Sequence, residues 1–277
     1  MKSFSGKVAA ITGAGSGIGR ALALQLARQG CHLALSDVDE DGLAETAQSA
    51  RQLGVKVTGD RVDVADREAV YEWANRTSEE HGKINLIFNN AGVALGSTLE
   101  GGSYEDFEWL FEINFWGVVY GTRAFLPHLR VSGDGHVVNV SSVFALVSVP
   151  GNGAYNSAKA AVRAFTEALR MELEMAGDPV SATSVHPGGI KTNIARNSRG
   201  DASLEDIGLD ARNGRKKFER LFNTSPDAAA RAVLSAVEKD KRRVLVGRDA
   251  YVIDVLARLL PAGYQHLVKR SVLKSLG

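Results

Sequence analysis

The 277-residue chain predicts an α/β protein: a Rossmann-like, doubly wound parallel sheet of about seven strands with helices on both faces, in one domain over residues 1–250. Three observations lead there. Short apolar runs of strand length alternate with longer segments of helical period. The first run leads straight into a glycine cluster and then a helix. The turns after Thr12, Asp37, Asp63, Asn90, Ser142 and Pro187 place polar or glycine-rich positions at successive strand ends.

Taken in order, Lys7–Thr12 reads as a buried strand, and Gly13-Ala-Gly15-Ser-Gly17-Ile-Gly19 follows it. Ala21, Leu22, Leu24, Leu26 and Ala27 carry a helix to a stop at Gly30. His32–Ser36 is a second strand, ending at Asp37. Glu40–Leu53 is helical, Val55–Val62 a strand ending at Asp63, Asp66–His81 a helix, and Asn85–Asn89 a strand. Ser103-Tyr-Glu-Asp106 resembles a capping box and opens a helix to about Leu129. His136–Val140 is the fifth strand. The helix holding Tyr155 is broken by Gly177-Asp178-Pro179, and Val180–His186 is the sixth strand. Ser225-Pro226 starts a last core helix, with a cap followed by proline at the first helical position, and Arg243–Val246 is a short last strand.

Composition narrows the possibilities. Hydrophobic content is 44%, charged content 23% and net charge +1, as in an ordinary globular protein with no electrostatic reason to bind nucleic acid. Cys31 is the only cysteine, so no intrachain disulfide forms and a reducing, cytoplasmic setting is expected. The first residues lack the apolar core of a signal peptide, and no apolar run is long enough to span a bilayer. The histidines lack HExxH spacing and one cysteine builds no zinc site, so no catalytic metal is expected.

The glycine turn between strand and helix has the layout that binds a dinucleotide: glycines let the backbone approach the pyrophosphate, and the helix N-terminus offers amides to that anion. The spacing is Gly13-xxx-Gly17-x-Gly19 rather than GxGxxG, and no Gly-Lys-Ser/Thr follows. Asp37 ends the second strand, where a carboxylate can hold ribose hydroxyls and repel a 2′-phosphate. The next three residues are Val38, Asp39 and Glu40, with no cation among them, so NAD is expected over NADP. Arg20 is the one nearby cation that could favour a phosphate. Tyr155 and Lys159 stand four apart, on one face of a helix. A phenol has a pKa near ~10, which a neighbouring cation lowers toward neutrality, where it can exchange protons with an alcohol.

Together these segments resemble the short-chain dehydrogenase/reductase family in its compact branch. The resemblance rests on Thr12-Gly13-xxx-Gly17-Ile18-Gly19, Asp63-Val64, Asn89-Asn90-Ala91-Gly92, Asn114, Ser142, Tyr155-xxx-Lys159 and Pro187-Gly188-Gly189-Ile190-Lys191-Thr192, and covers roughly Lys7 to Val246. It implies a catalytic set of Asn114, Ser142, Tyr155 and Lys159. Tyr155 would be the acid/base, and Lys159 would lower its pKa and hold the nicotinamide ribose. Ser142 would steady the substrate oxygen, being preferred to Ser141 because it stands thirteen residues before Tyr155. Asn114 would hold a water that relays protons toward Lys159. Gly13, Ser16, Gly17, Ile18, Gly19 and Asp37 would take the adenosine diphosphate side of NAD, with Ser16 where NADP-preferring relatives often carry a base. Asp63 and Val64 would flank adenine. Asn90, Ala91 and Gly92 would line the cleft, and Pro187, Gly188, Ile190 and Thr192 would meet the nicotinamide. Ser142, Phe144, Tyr155 and Gly188 would touch substrate.

The expected function is hydride transfer between nicotinamide and a largely apolar secondary alcohol or ketone. The apolar character comes from Val143, Phe144, Leu146, Val147, Val149, Val93 and Leu95 around the expected pocket. The alternatives are a nucleotide-binding regulatory protein, or a dehydrogenase held at a membrane by its tail. The family resemblance implies a homodimer or homotetramer. Residues 193–225 are expected to form a lid over the substrate, and they carry the basic cluster Arg212, Arg215, Lys216, Lys217 and Arg220. His186, alone before Pro-Gly, reads as structural. Beyond the core, 251–277 reads as an amphipathic extension with Val252, Val255, Leu256, Leu259 and Leu260 on one helical face. Asp254 is its only acid against four cations, a formal +3. Packing on its own or a partner subunit is the first expectation, with peripheral contact to an anionic membrane second.

Overall fold

A computed structural model describes residues 1–192, 194, 198–209 and 223–276. The basic cluster at 212–220 and most of the expected lid lie outside the described residues.

The first strand, β1 (Val8–Thr12), is buried throughout and runs into α1 (Gly17–Arg28). β2 (His32–Asp37), α2 (Glu40–Arg51), β3 (Val57–Arg61), α3 (Arg67–His81) and β4 (Leu86–Asn89) complete the first half. The second half holds β5 (Leu95–Gly96), α4 (Tyr104–Phe111), α5 (Gly117–Ser132), β6 (Gly135–Val140), α6 (Gly153–Met175) and β7 (Val180–Pro187). Then come β8 (Arg199–Gly200), α7 (Pro226–Glu238), β9 (Arg243–Val246), α8 (Arg248–Leu259) and α9 (Tyr264–Leu276). Helix starts follow the local chemistry. Asp39, Asp66, Ser103 and Ser225 each accept an amide of the first turn, and Pro226 follows the last of these caps.

The main sheet has seven parallel strands in the order β3-β2-β1-β4-β6-β7-β9. Side chains alternate across it. Ile11, Leu33 and Leu35 join Leu22, Leu26, Val233 and Val237 on one face. Ala10, Ile87, Val137 and Ala182 join Val70, Trp73, Phe125 and Leu169 on the other. Trp73 and Phe125 meet edge to face at 4.9 Å. Burial on both faces explains why these strands read as unbroken apolar runs. The strand order reverses at β1 and β4, and this opens a crevice at their carboxyl ends.

Three features depart from the sequence reading. β3 starts at Val57 rather than Val55. The helix expected from Ser103 to Leu129 is two α-helices joined by a π turn at Glu112–Trp116, where Gly117 N donates to Glu112 O, five residues back. A second sheet pairs β5 with β8, two residues each and too short for any periodicity to announce.

The tail forms the α8–α9 hairpin, and α8 begins at Arg248, three residues before the extension expected from sequence. Most of its apolar stripe faces outward, with Val252 68% exposed, Val255 54% and Leu259 74%, while Leu256 is half-buried. Ala250 and Tyr264 are the buried tail residues among those described. No helix of the described residues is long and apolar enough to cross a membrane.

Candidate active site

The strand ends build one cleft. At the β1–α1 turn, Gly13 has φ +65° and an ideal Cβ there would lie 2.8 Å from Ala91 Cα; at Gly19 it would lie 2.1 Å from the Gly13 carbonyl oxygen. No side chain fits either place, so the turn lies directly against the 90–92 segment. Thr12 fastens the two together. Its Oγ1 accepts from Asn90 N and Ala91 N, both at 3.0 Å, while Asn90 Nδ2 donates to Thr12 O and Gly13 O.

The α1 N-terminus suits an anion. Ser16 is exposed and gives no side-chain cap, and the first turn holds no acid. By contrast α2, α3, α4 and α7 are all capped and carry acids there. Free amides at a helix N-terminus attract phosphate oxygens. The half-buried Gly17 and Ile18 open this helix, and Thr192 Cγ2 would lie 3.1 Å from a Cβ on Gly17, bringing the turn after β7 against the glycine loop. Asp37 ends β2 beside the glycine turn, where its carboxylate accepts Gly15 N at 2.7 Å and Asp39 N at 3.0 Å. Arg20 points away from a phosphate role. Its guanidinium donates to Gly15 O, Gly42 O and Glu45 Oε2. Asp63 is exposed beyond β3 and accepts Ala65 N, while Val64 is buried against Gly117. These residues fit the adenosine diphosphate half of a dinucleotide.

The reactive end lies between β4, β6 and α6. Ser142, 8% exposed, follows β6, accepts Phe144 N and stands close enough to the Tyr155 phenol to lower its pKa. Burial raises the Tyr155 phenol above its ordinary pKa; Ser142 opposes this without cancelling it, and Lys159 does not bring the phenol down in this arrangement as the resemblance implied. Lys159 is buried, and desolvation brings its ammonium down to about 8. Its Nζ donates to Val140 O at 3.1 Å and lies 5.8 Å from the Tyr155 ring centre. Asn114 sits in the π turn. It is fully buried rather than facing water, with its amide spliced into the peptide of Val93: Oδ1 accepts Val93 N at 2.9 Å and Nδ2 donates to Val93 O at 2.8 Å. Asn114 and Lys159 converge on Gly92, where a Cβ would lie 2.9 Å from Asn114 Oδ1 and 3.4 Å from Lys159 Nζ.

Neighbouring residues sort themselves by their bonds. Ser141 Oγ donates to Lys159 O at 2.8 Å and supports α6, which leaves Ser142 as the serine paired with Tyr155. His186 is buried and held near pKa 4 by desolvation. A carbonyl only accepts, so its Nδ1 donates to Ser142 O at 3.1 Å and its Nε2 takes the Ser184 hydroxyl. The structural reading of His186 therefore gains a specific task, to hold the serine backbone. Pro187 ends β7, Gly188 lies against Asp249, and Ile190 is buried in the core, bridged to Thr224. Ile190 can thus offer a cofactor little beyond its main chain. Phe144 stands edge-on to Tyr155 at 6.1 Å.

Comparison with known proteins bears on the family and the fold. Residues 7–203 match the family model described as short chain dehydrogenase. The chain is 51% identical over 275 residues to SadH of Mycobacterium tuberculosis, named as an oxidoreductase, covering 99% of this chain and 98% of that one. It is similar to a Burkholderia phymatum short chain dehydrogenase/reductase solved with NAD, at 34% identity and TM-score 0.87, covering 94% and 95% of the two chains. It is also similar to a Thermococcus sibiricus alcohol dehydrogenase complexed with 5-hydroxy-NADP, at 30% identity and TM-score 0.73, covering 87% and 95%.

Proposed function

The chain belongs to the short-chain dehydrogenase family and is an oxidoreductase of that type, and on that premise we propose that it uses NAD to interconvert a largely apolar secondary alcohol and its ketone. The observation that carries this reading is the convergence of Ser142, Tyr155 and Lys159 at the carboxyl end of β6, with the buried Lys159 ammonium 5.8 Å from the Tyr155 ring centre.

Bound NAD(H) supplies the hydride chemistry. The chain's residues manage the substrate oxygen. In oxidation the Tyr155 oxygen takes the hydroxyl proton; in reduction the phenol returns it. The Ser142 hydroxyl donates to the same oxygen as charge develops there. The Lys159 ammonium, 5.8 Å from the Tyr155 ring centre, supplies the positive charge that would favour phenolate against the upward pull of burial. Asn114 fixes Val93 and lies beside Lys159, consistent with a water-mediated proton path between them.

Preference for NAD rests on Asp37 at the ribose edge, on Asp39 and Glu40 after it, and on Arg20 being engaged elsewhere. The apolar substrate rests on Val93, Phe144, Leu146 and Val149, which are half-buried around the cleft, whereas Leu95, Val143 and Val147 belong to the core. The outward stripe of α8 favours a second contact, with a partner subunit first and an anionic membrane surface second. The intact Ser142, Tyr155 and Lys159 set weighs against a purely regulatory nucleotide binder. A screen of alcohols and ketones, followed by NADH absorbance, tests the reading. Turnover of apolar ketones but not of small charged hydroxy acids is expected, and the reverse would overturn it.

A further inference from the structure

The tail beyond β9 lies outside the residues that match the family model, yet it makes two polar contacts with the cleft. Asp249, in the first turn of α8, accepts Gly189 N on Oδ2 at 2.6 Å. A Cβ on Gly188 would lie 2.2 Å from that carboxylate, so Asp249 sits directly beneath the turn after β7. Tyr264, the first residue of α9, is 8% exposed, and its hydroxyl accepts Ser148 N at 3.1 Å. Its neighbours Gln265, His266 and Leu267 are all exposed. A tyrosine buried by its ring and bonded by its hydroxyl to a main-chain amide is placed rather than incidental.

The positions of the two contacts matter. Ser148 lies on the strap that joins Ser142 to Tyr155. That strap is also fastened elsewhere, among other places by Asn156 Nδ2 on Val149 O at 3.1 Å and by Ser97 N on Gly151 O at 3.0 Å. Tyr264 adds a long-range tie at Ser148 to a stretch otherwise held by Ala145 N on Ser142 O and by Leu146 N and Val147 N on Val143 O. The hairpin is itself fixed to the sheet, because Asp254 of α8 pairs with Arg243 of β9.

We propose that the α8–α9 hairpin braces the active site at two points, Asp249 holding the Gly188–Gly189 turn on the nicotinamide side and Tyr264 holding the Ser148 strap on the substrate side. Tyr264 is then a positioning residue that acts through the strap, and the two loops report on one another through a shared element. The substrate half of this inference rests on the dehydrogenase reading; the two contacts do not.

The test uses the full chain with Tyr264→Phe and Asp249→Ala. Three readouts are NADH fluorescence titration, steady-state kinetics on ketones of increasing bulk, and amide exchange at Ser148 and Gly189. One lost hydrogen bond corresponds to a factor of about three to ten. Tyr264→Phe is expected to raise the ketone KM by that factor, most for bulky ketones, with kcat within about twofold. NADH affinity should hold while Ser148 exchange quickens. Asp249→Ala is expected to weaken NADH by about tenfold, since its bond is charge-assisted. It should quicken exchange at Gly189 and, through the hairpin, at Ser148. Unchanged Ser148 exchange and an unchanged KM in Tyr264→Phe would overturn the brace. So would a uniform loss of kcat that follows melting temperature, which marks a merely structural residue. If the wild-type protein turns over no ketone, the dehydrogenase reading fails, while amide exchange still decides whether the brace exists.

Discussion

The Lys159 ammonium lies 5.8 Å from the centre of the Tyr155 ring and spends a hydrogen bond on the Val140 carbonyl. The ammonium makes no direct bond to the phenol, whose pKa is raised by burial and lowered by Ser142. Tyr155→Phe keeps the ring beside Phe144 and removes only the proton-transferring oxygen. Turnover is expected to fall by about 10²–10⁴-fold, with NADH affinity nearly unchanged. Activity within a factor of two of wild type would refute the assignment.

At the other end of the cleft, the proposed preference for NAD rests on Asp37. Higher kcat/KM with NAD(H) than with NADP(H) is expected, because a 2′-phosphate would meet Asp37 and the acids after it. Asp37→Ser should narrow that ratio by removing the charge while leaving a hydroxyl for the ribose. An NADP(H) preference in the wild-type enzyme would overturn the assignment.

Acid should unfold this protein earlier than its carboxylates alone dictate. Burial holds His81, His136 and His186 near pKa 4, below the ordinary 6.5. Between those values the unfolded chain takes up protons that the folded chain refuses. The contribution to stability is thus complete above about pH 6.5 and is lost as pH falls toward 4. Asp240, held down to about 2 beside Arg170 and Ser181 despite the opposing cost of burial, keeps its contribution until far lower pH. Melting temperature should be level from pH 7 to 8 and fall between 6.5 and 4. A flat profile down to pH 4.5 would contradict the assignment.

Removing the tail after Ala250 deletes the outward stripe of α8 together with Tyr264. A fall in oligomer mass by light scattering is expected, or aggregation from surface newly exposed beneath α9. Val255→Glu with Leu259→Glu separates the two effects, since both side chains point outward and their loss leaves the fold intact. If truncated and double-substituted chains both keep the wild-type mass, the stripe is no subunit contact.

Much of this architecture could be read from the chain alone. Strands buried on both faces give continuous apolar runs, and caps such as Asp66 and Ser225 mark helix starts locally. Tyr155, Lys159 and Ser142 stood out because motif spacing encodes them. The contributions of His186, Asp249 and Tyr264 did not. Each acts through one hydrogen bond to a main-chain group 44, 60 or 116 residues away, and a backbone partner leaves no mark in side-chain pattern. The outward direction of the α8 stripe was likewise hidden, because helical period shows that a face is apolar but not what it faces.

The π turn between α4 and α5 sets a matter of phase. Each residue of an α-helix advances the side chains by about 100°. Deleting one residue between Glu112 and Trp116 would restore the ordinary ladder and rotate one flanking helix by that angle. Either Leu110 would leave its cluster with Leu95 and Ala158, or Phe125 would turn away from Trp73. Both helices face their own cores only because the segment holding Asn114 carries one residue too many, so the length of this segment is as constrained as its composition.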